Sequence, residues 1–129
     1  MSRARVLIVE DDASLREALS DTLQLAGYSV FGAADGNAAL ALLEREKNDV
    51  VVSDVQMSPL DGHALLKAVQ QAHPALPVIL TTAYGTIQKA GAAMHDGAAD
   101  YLVKPYELDA VIELIERYAA ASSDNDRGL

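Results

Sequence analysis

Short apolar runs alternate with longer amphipathic segments along the chain. Five runs have the length and composition of strands, and the segments between them repeat apolar residues at helical spacing. This alternation predicts repeated βαβ units and a largely parallel sheet. The predicted strands lie near residues 6–9, 28–31, 49–54, 78–80 and 101–103.

Turn and capping residues mark the helices between these strands. Asp12 or Ser14 begins the first helix, which ends near Ala26, and Gly27 follows it. The next two helices begin at turns, residues 35–37 and 61–62, and residues 84–86 open the fourth. The fifth helix is expected over about 107–121. The polar residues 122–129 are interpreted as a tail or the start of a linker, which leaves 1–121 as one domain.

The predicted elements fit one α/β fold, a doubly wound, flavodoxin-like sheet of five parallel strands in the order 2-1-3-4-5. The carboxyl ends of parallel strands share one edge, where such folds bind ligands. Four predicted strands end there in an acid cluster, a single acid, hydroxyls and an amine: Glu10–Asp11–Asp12, Asp54, Thr81–Thr82 and Lys104. The pattern indicates a site for a divalent cation and a phosphoryl group, with Asp54 as the acceptor.

Composition narrows the class of protein. The net charge of −9, with basic residues scattered and never in a run, disfavours direct contact with nucleic acid or anionic lipid. No apolar stretch approaches the ~20 residues that a membrane span needs. The absence of cysteine excludes disulfides and thiolate chemistry. A cytoplasmic domain is the simplest interpretation.

In the acids, hydroxyls and amine at its predicted strand ends, the chain resembles the receiver domains of two-component response regulators. The resemblance covers about residues 4–120. Residues 82–86 and 97–105 are most similar to the nitrogen-regulator class, and residues 10–25 resemble regulators of flagellar genes. Members of the nitrogen-regulator class carry an ATPase domain and a DNA-binding domain after the receiver. The motifs that carry the resemblance are Glu10–Asp11–Asp12, Asp54, Met57, Asp61–Gly62, Thr82–Ala83, Tyr101 and Lys104–Pro105.

The resemblance implies a mechanism. A sensor histidine kinase would donate its phosphoryl group to Asp54, and Lys104 would pair with the phosphoryl oxygens. Thr82 would hydrogen-bond the phosphorylated state, and Tyr101 would rotate inward. A homodimer through the fourth helix, fifth strand and fifth helix is expected. Mg²⁺ would be held by Asp11, Asp54, the backbone carbonyl of Gln56, and Glu10 directly or through a water molecule.

Several positions admit simpler roles or depart from the family pattern. Asp12 is expected to cap a helix or to lie in solvent, and Tyr101 is as consistent with half-buried packing as with a switch. Ser58 stands where receivers usually have proline, with Pro59 after it, which predicts a locally altered loop. Tyr106 replaces the usual phenylalanine and adds a hydroxyl.

Other functions of this fold fit the sequence less well. An aspartyl phosphohydrolase needs a second acid two residues after its nucleophile, where this chain has Gln56. A flavin or nucleotide module needs a phosphate loop rich in glycine and hydroxyls, where this chain is acidic. A receiver acting only as a scaffold and a stand-alone phosphorelay receiver also remain as alternatives.

Overall fold

The computed structural model describes residues 4–57, 60–83, 85 and 87–126. Strands and helices alternate strictly through this part of the chain. The strands are β1 (Arg5–Val9), β2 (Ser29–Ala33), β3 (Val50–Asp54), β4 (Val78–Thr82) and β5 (Asp100–Val103). The helices are α1 (Ala13–Leu25), α2 (Gly36–Arg45), α3 (Gly62–Ala72), α4 (Ile87–His95) and α5 (Leu108–Asp126).

The five strands form one parallel sheet in the order β2-β1-β3-β4-β5, which confirms the predicted topology. β1 and β3 are neighbours although β2 lies between them in the chain, so the switch point falls beside these two strands. β2 lies at one edge of the sheet and is less buried than β3 and β4, as its mixed composition predicted.

Alternate residues of the central strands pack on opposite faces of the sheet. In β1, Leu7 and Val9 belong to the core layer that faces α2, α3 and α4. Val6 and Ile8 belong to the other layer, which faces α1 and α5. Because both faces are covered, β1, β3 and β4 are almost entirely apolar until they reach the carboxyl edge.

Three aspartates begin the first three helices. Asp12 accepts a hydrogen bond from the Leu15 N–H at 3.1 Å, and Asp35 and Asp61 accept equivalent bonds from the third residue after each. A capping carboxylate satisfies an N–H that would otherwise lack a partner in the first turn. The predicted capping role of Asp12 is therefore confirmed.

Most predicted boundaries agree with the structure to within two or three residues. The exception is α5, which runs to Asp126, past the predicted end at 121. The predicted polar tail therefore begins in helical conformation, since no glycine or proline interrupts the chain before Gly128. Its role as a linker stays a prediction. Within the described residues, no helix combines the length and hydropathy that crossing a membrane requires.

Gly62 lets the start of α3 approach the end of β3. A Cβ atom at this position would lie 2.6 Å from the backbone oxygen of Asp54 and 2.8 Å from Cα of Val55. Backbone atoms cannot move aside as a flexible side chain would. A side chain here would therefore displace the strand end that carries Asp54.

We expect Gly62→Ala to lower the free energy of unfolding by about 2 kcal/mol, the usual scale of overpacking. Gly91→Ala is the matched control, because Gly91 is exposed in α4 and a Cβ there meets nothing within 4 Å. That control should raise the stability by about 0.5–1 kcal/mol through helix propensity. Urea unfolding of both variants measures the difference, and equal stabilities would contradict the steric argument.

Candidate functional site

The strand register places Glu10 and Asp54 side by side at the carboxyl edge of the sheet. Val9 of β1 pairs with Ser53 of β3, and Glu10 and Asp54 are the residues that follow them along the chain. Both acids are buried, with Glu10 2% and Asp54 4% exposed. Two neighbouring carboxylates with so little contact with water need a positive partner.

Lys104 supplies that positive charge from the far side of β4. Its Nζ lies 2.7 Å from Oε1 of Glu10, where it donates a hydrogen bond, and 3.5 Å from Oδ1 of Asp54. The backbone N–H of Lys104 donates to the carbonyl of Thr82 at 2.7 Å, which extends the pairing of β4 with β5. The sheet therefore fixes the backbone of the residue that carries the ammonium.

Two hydrogen bonds hold the carboxylate of Glu10. Burial raises its pKa, although the hydrogen bond from Lys104 and a second from the Asp12 N–H to Oε2, at 3.1 Å, oppose that rise. Burial also lowers the pKa of Lys104, but the hydrogen bond to Glu10 and the charges of Glu10 and Asp54 outweigh it, so the net direction is upward. Lys104 therefore stays charged at neutral pH.

Glu10, Asp11 and Asp54 form an acid cluster in which one carboxylate oxygen from each residue lies within 4.8 Å of the other two. Asp11 is exposed, so the cluster is open to solvent on that side. Oδ1 of Asp54 is buried and has no hydrogen-bond partner among the described residues. Hard oxygen donors of this kind fit a divalent cation such as Mg²⁺, which commonly retains several waters.

Thr82 and Tyr101 line one cavity of about 450 Å³ between α3, α4 and the end of the sheet. Thr82 follows Thr81, the residue that pairs with Asp54, and it is 2% exposed. Tyr101 is half-buried against the core layer of α2, α3 and α4. The predicted switch residues therefore share a space into which a side chain could move.

The structure brings together Glu10, Asp11, Asp54 and Lys104, as the strand ends predicted. The predicted role of the Gln56 backbone carbonyl stays a prediction. The side chain of Gln56 makes a contact that the sequence did not suggest, since its Oε1 accepts a hydrogen bond from the Ala83 N–H at 3.4 Å. Ser58 and Pro59, the predicted altered loop, lie outside the described residues, as do Tyr84 and Thr86.

Arg16 is a residue of the site that the sequence reasoning missed. Its guanidinium donates a hydrogen bond to the backbone carbonyl of Glu10 at 2.6 Å, and its side chain packs over Gly32. The bond tethers the end of β1 to the first turn of α1. Arg16 lies four residues after the capping Asp12, at the end of the first helical turn. This spacing was the feature of the sequence that could have identified it.

Comparison with known proteins places this arrangement among signalling domains. The sequence model described as response regulator receiver domain matches residues 6–116. The chain is 52% identical over 116 residues to the response regulator protein FleR of Pseudomonas aeruginosa, covering 90% of this chain and 24% of that protein. It is 43% identical over 117 residues to the DNA-binding transcriptional regulator NtrC of Salmonella typhimurium, covering 91% and 25%.

A solved structure with similar architecture is the chemotaxis protein CheY4 of Vibrio cholerae. It superposes with a TM-score of 0.85 at 35% identity, covering 91% of this chain and 99% of that one. The present chain thus spans about a quarter of the length of the two curated relatives and nearly all of this structural neighbour.

The acid cluster predicts that Mg²⁺ raises the melting temperature of the domain. Asp11→Asn should weaken Mg²⁺ binding by about tenfold, since it removes the charge of the exposed ligand. Asp12→Asn is the control, because asparagine caps a helix as well as aspartate and this carboxylate is absent from the cluster. Thermal unfolding across a Mg²⁺ titration gives both affinities. If the two variants lose Mg²⁺ affinity equally, then only the general negative charge of this region contributes to binding, and Asp11 is not a specific ligand.

Proposed function

The chain belongs to the receiver domain family of response regulators, and we propose that it accepts a phosphoryl group from a sensor histidine kinase onto Asp54 in a Mg²⁺-dependent reaction. The observation that carries this proposal is the state of Asp54. Its Oδ1 is buried and has no hydrogen-bond partner in the described part of the chain, with Lys104 3.5 Å away. A lone pair is thus available for attack beside the positive charge of Lys104.

Asp54 reacts as the nucleophile in covalent phosphoryl transfer. A carboxylate oxygen attacks the phosphorus of the kinase phosphohistidine, so that a P–O bond forms as the P–N bond breaks. The imidazole leaves with the electron pair and takes up a proton. The product is an acyl phosphate, and the protein acts as a phosphoacceptor rather than as an enzyme with a separate substrate.

Charge repulsion is the main obstacle to this reaction. Two unit negative charges about 4 Å apart repel by about 4 kcal/mol at an effective dielectric constant of about 20. The Lys104 ammonium offsets this repulsion between Asp54 and the incoming group. Asp11, Asp54, the Gln56 carbonyl, and Glu10 directly or through a water molecule, would hold Mg²⁺, which would supply further positive charge near the phosphoryl oxygens.

Thr82 and Tyr101 transmit the phosphorylated state. The Thr82 hydroxyl donates a hydrogen bond to the phosphoryl group, and the ring of Tyr101 turns into the cavity that the two residues share. The face built from α4, β5 and α5 then changes, and a homodimer forms through it. Exposed apolar side chains on this face, Met94 at 47% and Val103 at 46%, support such an interface.

This switch controls transcription. The control is exercised in the cytoplasm by a longer protein that contains this domain. The support is the similarity to NtrC, a DNA-binding transcriptional regulator, of which this chain spans about a quarter. The net charge of −9 supports the absence of direct contact between this domain and nucleic acid. A stand-alone phosphorelay receiver is the alternative candidate.

We expect Asp54→Asn to abolish phosphoryl acceptance. Intact mass after incubation with acetyl phosphate and Mg²⁺ should show one added phosphoryl group on the wild type and none on the variant. Asp21→Asn, which changes an exposed aspartate of α1, should retain the adduct. A chelated sample is the second control.

An adduct on Asp54→Asn would identify a different acceptor. If the wild type neither forms an adduct nor binds beryllofluoride, the chain is a receiver that acts only as a scaffold.

We expect Thr82→Ala to accept the phosphoryl group but to transmit it poorly. Loss of one hydrogen bond to a charged group should weaken the phosphorylation-dependent shift by about tenfold. Sedimentation of the phosphorylated protein measures dimerisation, and the NMR signals of the Tyr101 ring report its rotation. Thr82→Ser retains the hydroxyl and should behave as the wild type. A complete switch in Thr82→Ala would remove this residue from the mechanism.

A further inference from the structure

Tyr106 carries a hydroxyl that the proposed chemistry does not use. It follows Lys104 by two residues, and its ring packs against the core layer of α1 and α5. The hydroxyl oxygen is buried and has no hydrogen-bond partner among the described residues. A phenylalanine would pack in the same way without burying an unsatisfied polar atom, so the oxygen needs an explanation of its own.

The charges near this hydroxyl belong to the phosphoacceptor site. Burial raises the pKa of Tyr106; the Lys104 ammonium opposes that rise, and the carboxylates of Glu10 and Asp54 add to it. The phenol is therefore neutral at physiological pH. A neutral phenol can accept a hydrogen bond through its oxygen and donate one through its hydrogen.

While Asp54 is unmodified, the ammonium of Lys104 bonds to Glu10. Its Nζ bonds to Glu10 at 2.7 Å and lies 3.5 Å from Asp54. A phosphoryl group on Asp54 would bring oxygens with more negative charge than the carboxylate it modifies, and the ammonium would move toward them. An ammonium has three N–H donors, so a lysine that bonds to a phosphoryl oxygen can also donate to a second neighbouring acceptor.

We propose that Tyr106 is a positioning residue for Lys104, whose ammonium donates a hydrogen bond to the Tyr106 hydroxyl when it leaves Glu10 for the phosphoryl group on Asp54. This inference rests on the proposed function. The hydroxyl lacks a partner in the unmodified site and gains one in the phosphorylated site. Tyr106 therefore favours the phosphorylated state by an interaction that exists only there.

The test compares two tyrosine-to-phenylalanine variants with the wild type. Tyr106→Phe should bind beryllofluoride, a phosphoryl mimic, about tenfold more weakly in the presence of Mg²⁺, a change of about 1.4 kcal/mol. Its unliganded stability should equal or exceed that of the wild type, since a buried unsatisfied group is removed. Calorimetric titration gives the affinities, and urea unfolding gives the stabilities.

Tyr118→Phe is the matched control, because the Tyr118 hydroxyl already donates to Oδ2 of Asp100 at 3.0 Å. This variant should be less stable than the wild type and should bind beryllofluoride with unchanged affinity. Each variant loses one hydroxyl. Tyr106→Phe should lose affinity for beryllofluoride without losing stability, whereas Tyr118→Phe should lose stability without losing affinity.

Any of three other results would contradict either this inference or the proposed function. If Tyr106→Phe binds beryllofluoride as tightly as the wild type, the inference fails while the proposed function stands. If Tyr106→Phe is destabilised as much as Tyr118→Phe, the hydroxyl has a partner in the unmodified protein and the inference also fails. If the wild type does not bind beryllofluoride at all, the proposed function itself is overturned.

Discussion

The balance of charge among Glu10, Asp54 and Lys104 governs the carboxyl edge of the sheet. Two carboxylates are almost fully removed from water, and one ammonium lies within 2.7 and 3.5 Å of them. Burying an unpaired charge is costly, so the arrangement is tolerable only while the lysine is present or a cation binds. The same unmet negative charge suits the proposed divalent-cation site, beside which lies the Asp54 carboxylate, the proposed nucleophile.

The parallel sheet is what makes this charge arrangement rigid. The register Val9–Ser53 sets Glu10 beside Asp54, and the pairing of Thr82 with Val103 sets Lys104 at the end of the neighbouring strand. Strands packed on both faces cannot slide without moving their whole apolar set to the wrong layer. Gly62 completes the geometry, because the side chain of a larger residue would clash with the backbone of Asp54 and displace the strand end.

Thr82 connects the charged site with the cavity that it shares with Tyr101. Its backbone carbonyl accepts the hydrogen bond that anchors Lys104, and its side chain lines the cavity that it shares with Tyr101. Under the proposed function, a change in the charge at Asp54 would reach the α4–β5–α5 face through Thr82 and Tyr101. The tight core limits the response to discrete rearrangements, since close-packed interiors do not deform continuously.

The sequence by itself determined the order of elements, the parallel sheet and the chemistry at the strand ends, because these follow from periodicity and from residue types at fixed positions. Asp12 could also be recognised as a cap, since capping depends on neighbours in the chain. Only the tertiary structure decided that Lys104 bonds to Glu10 more closely than to Asp54, that Arg16 holds the Glu10 carbonyl, and that the Tyr106 hydroxyl is buried without a partner. Those features depend on side-chain packing between residues as many as 94 positions apart, and no local pattern in the sequence encodes such distances.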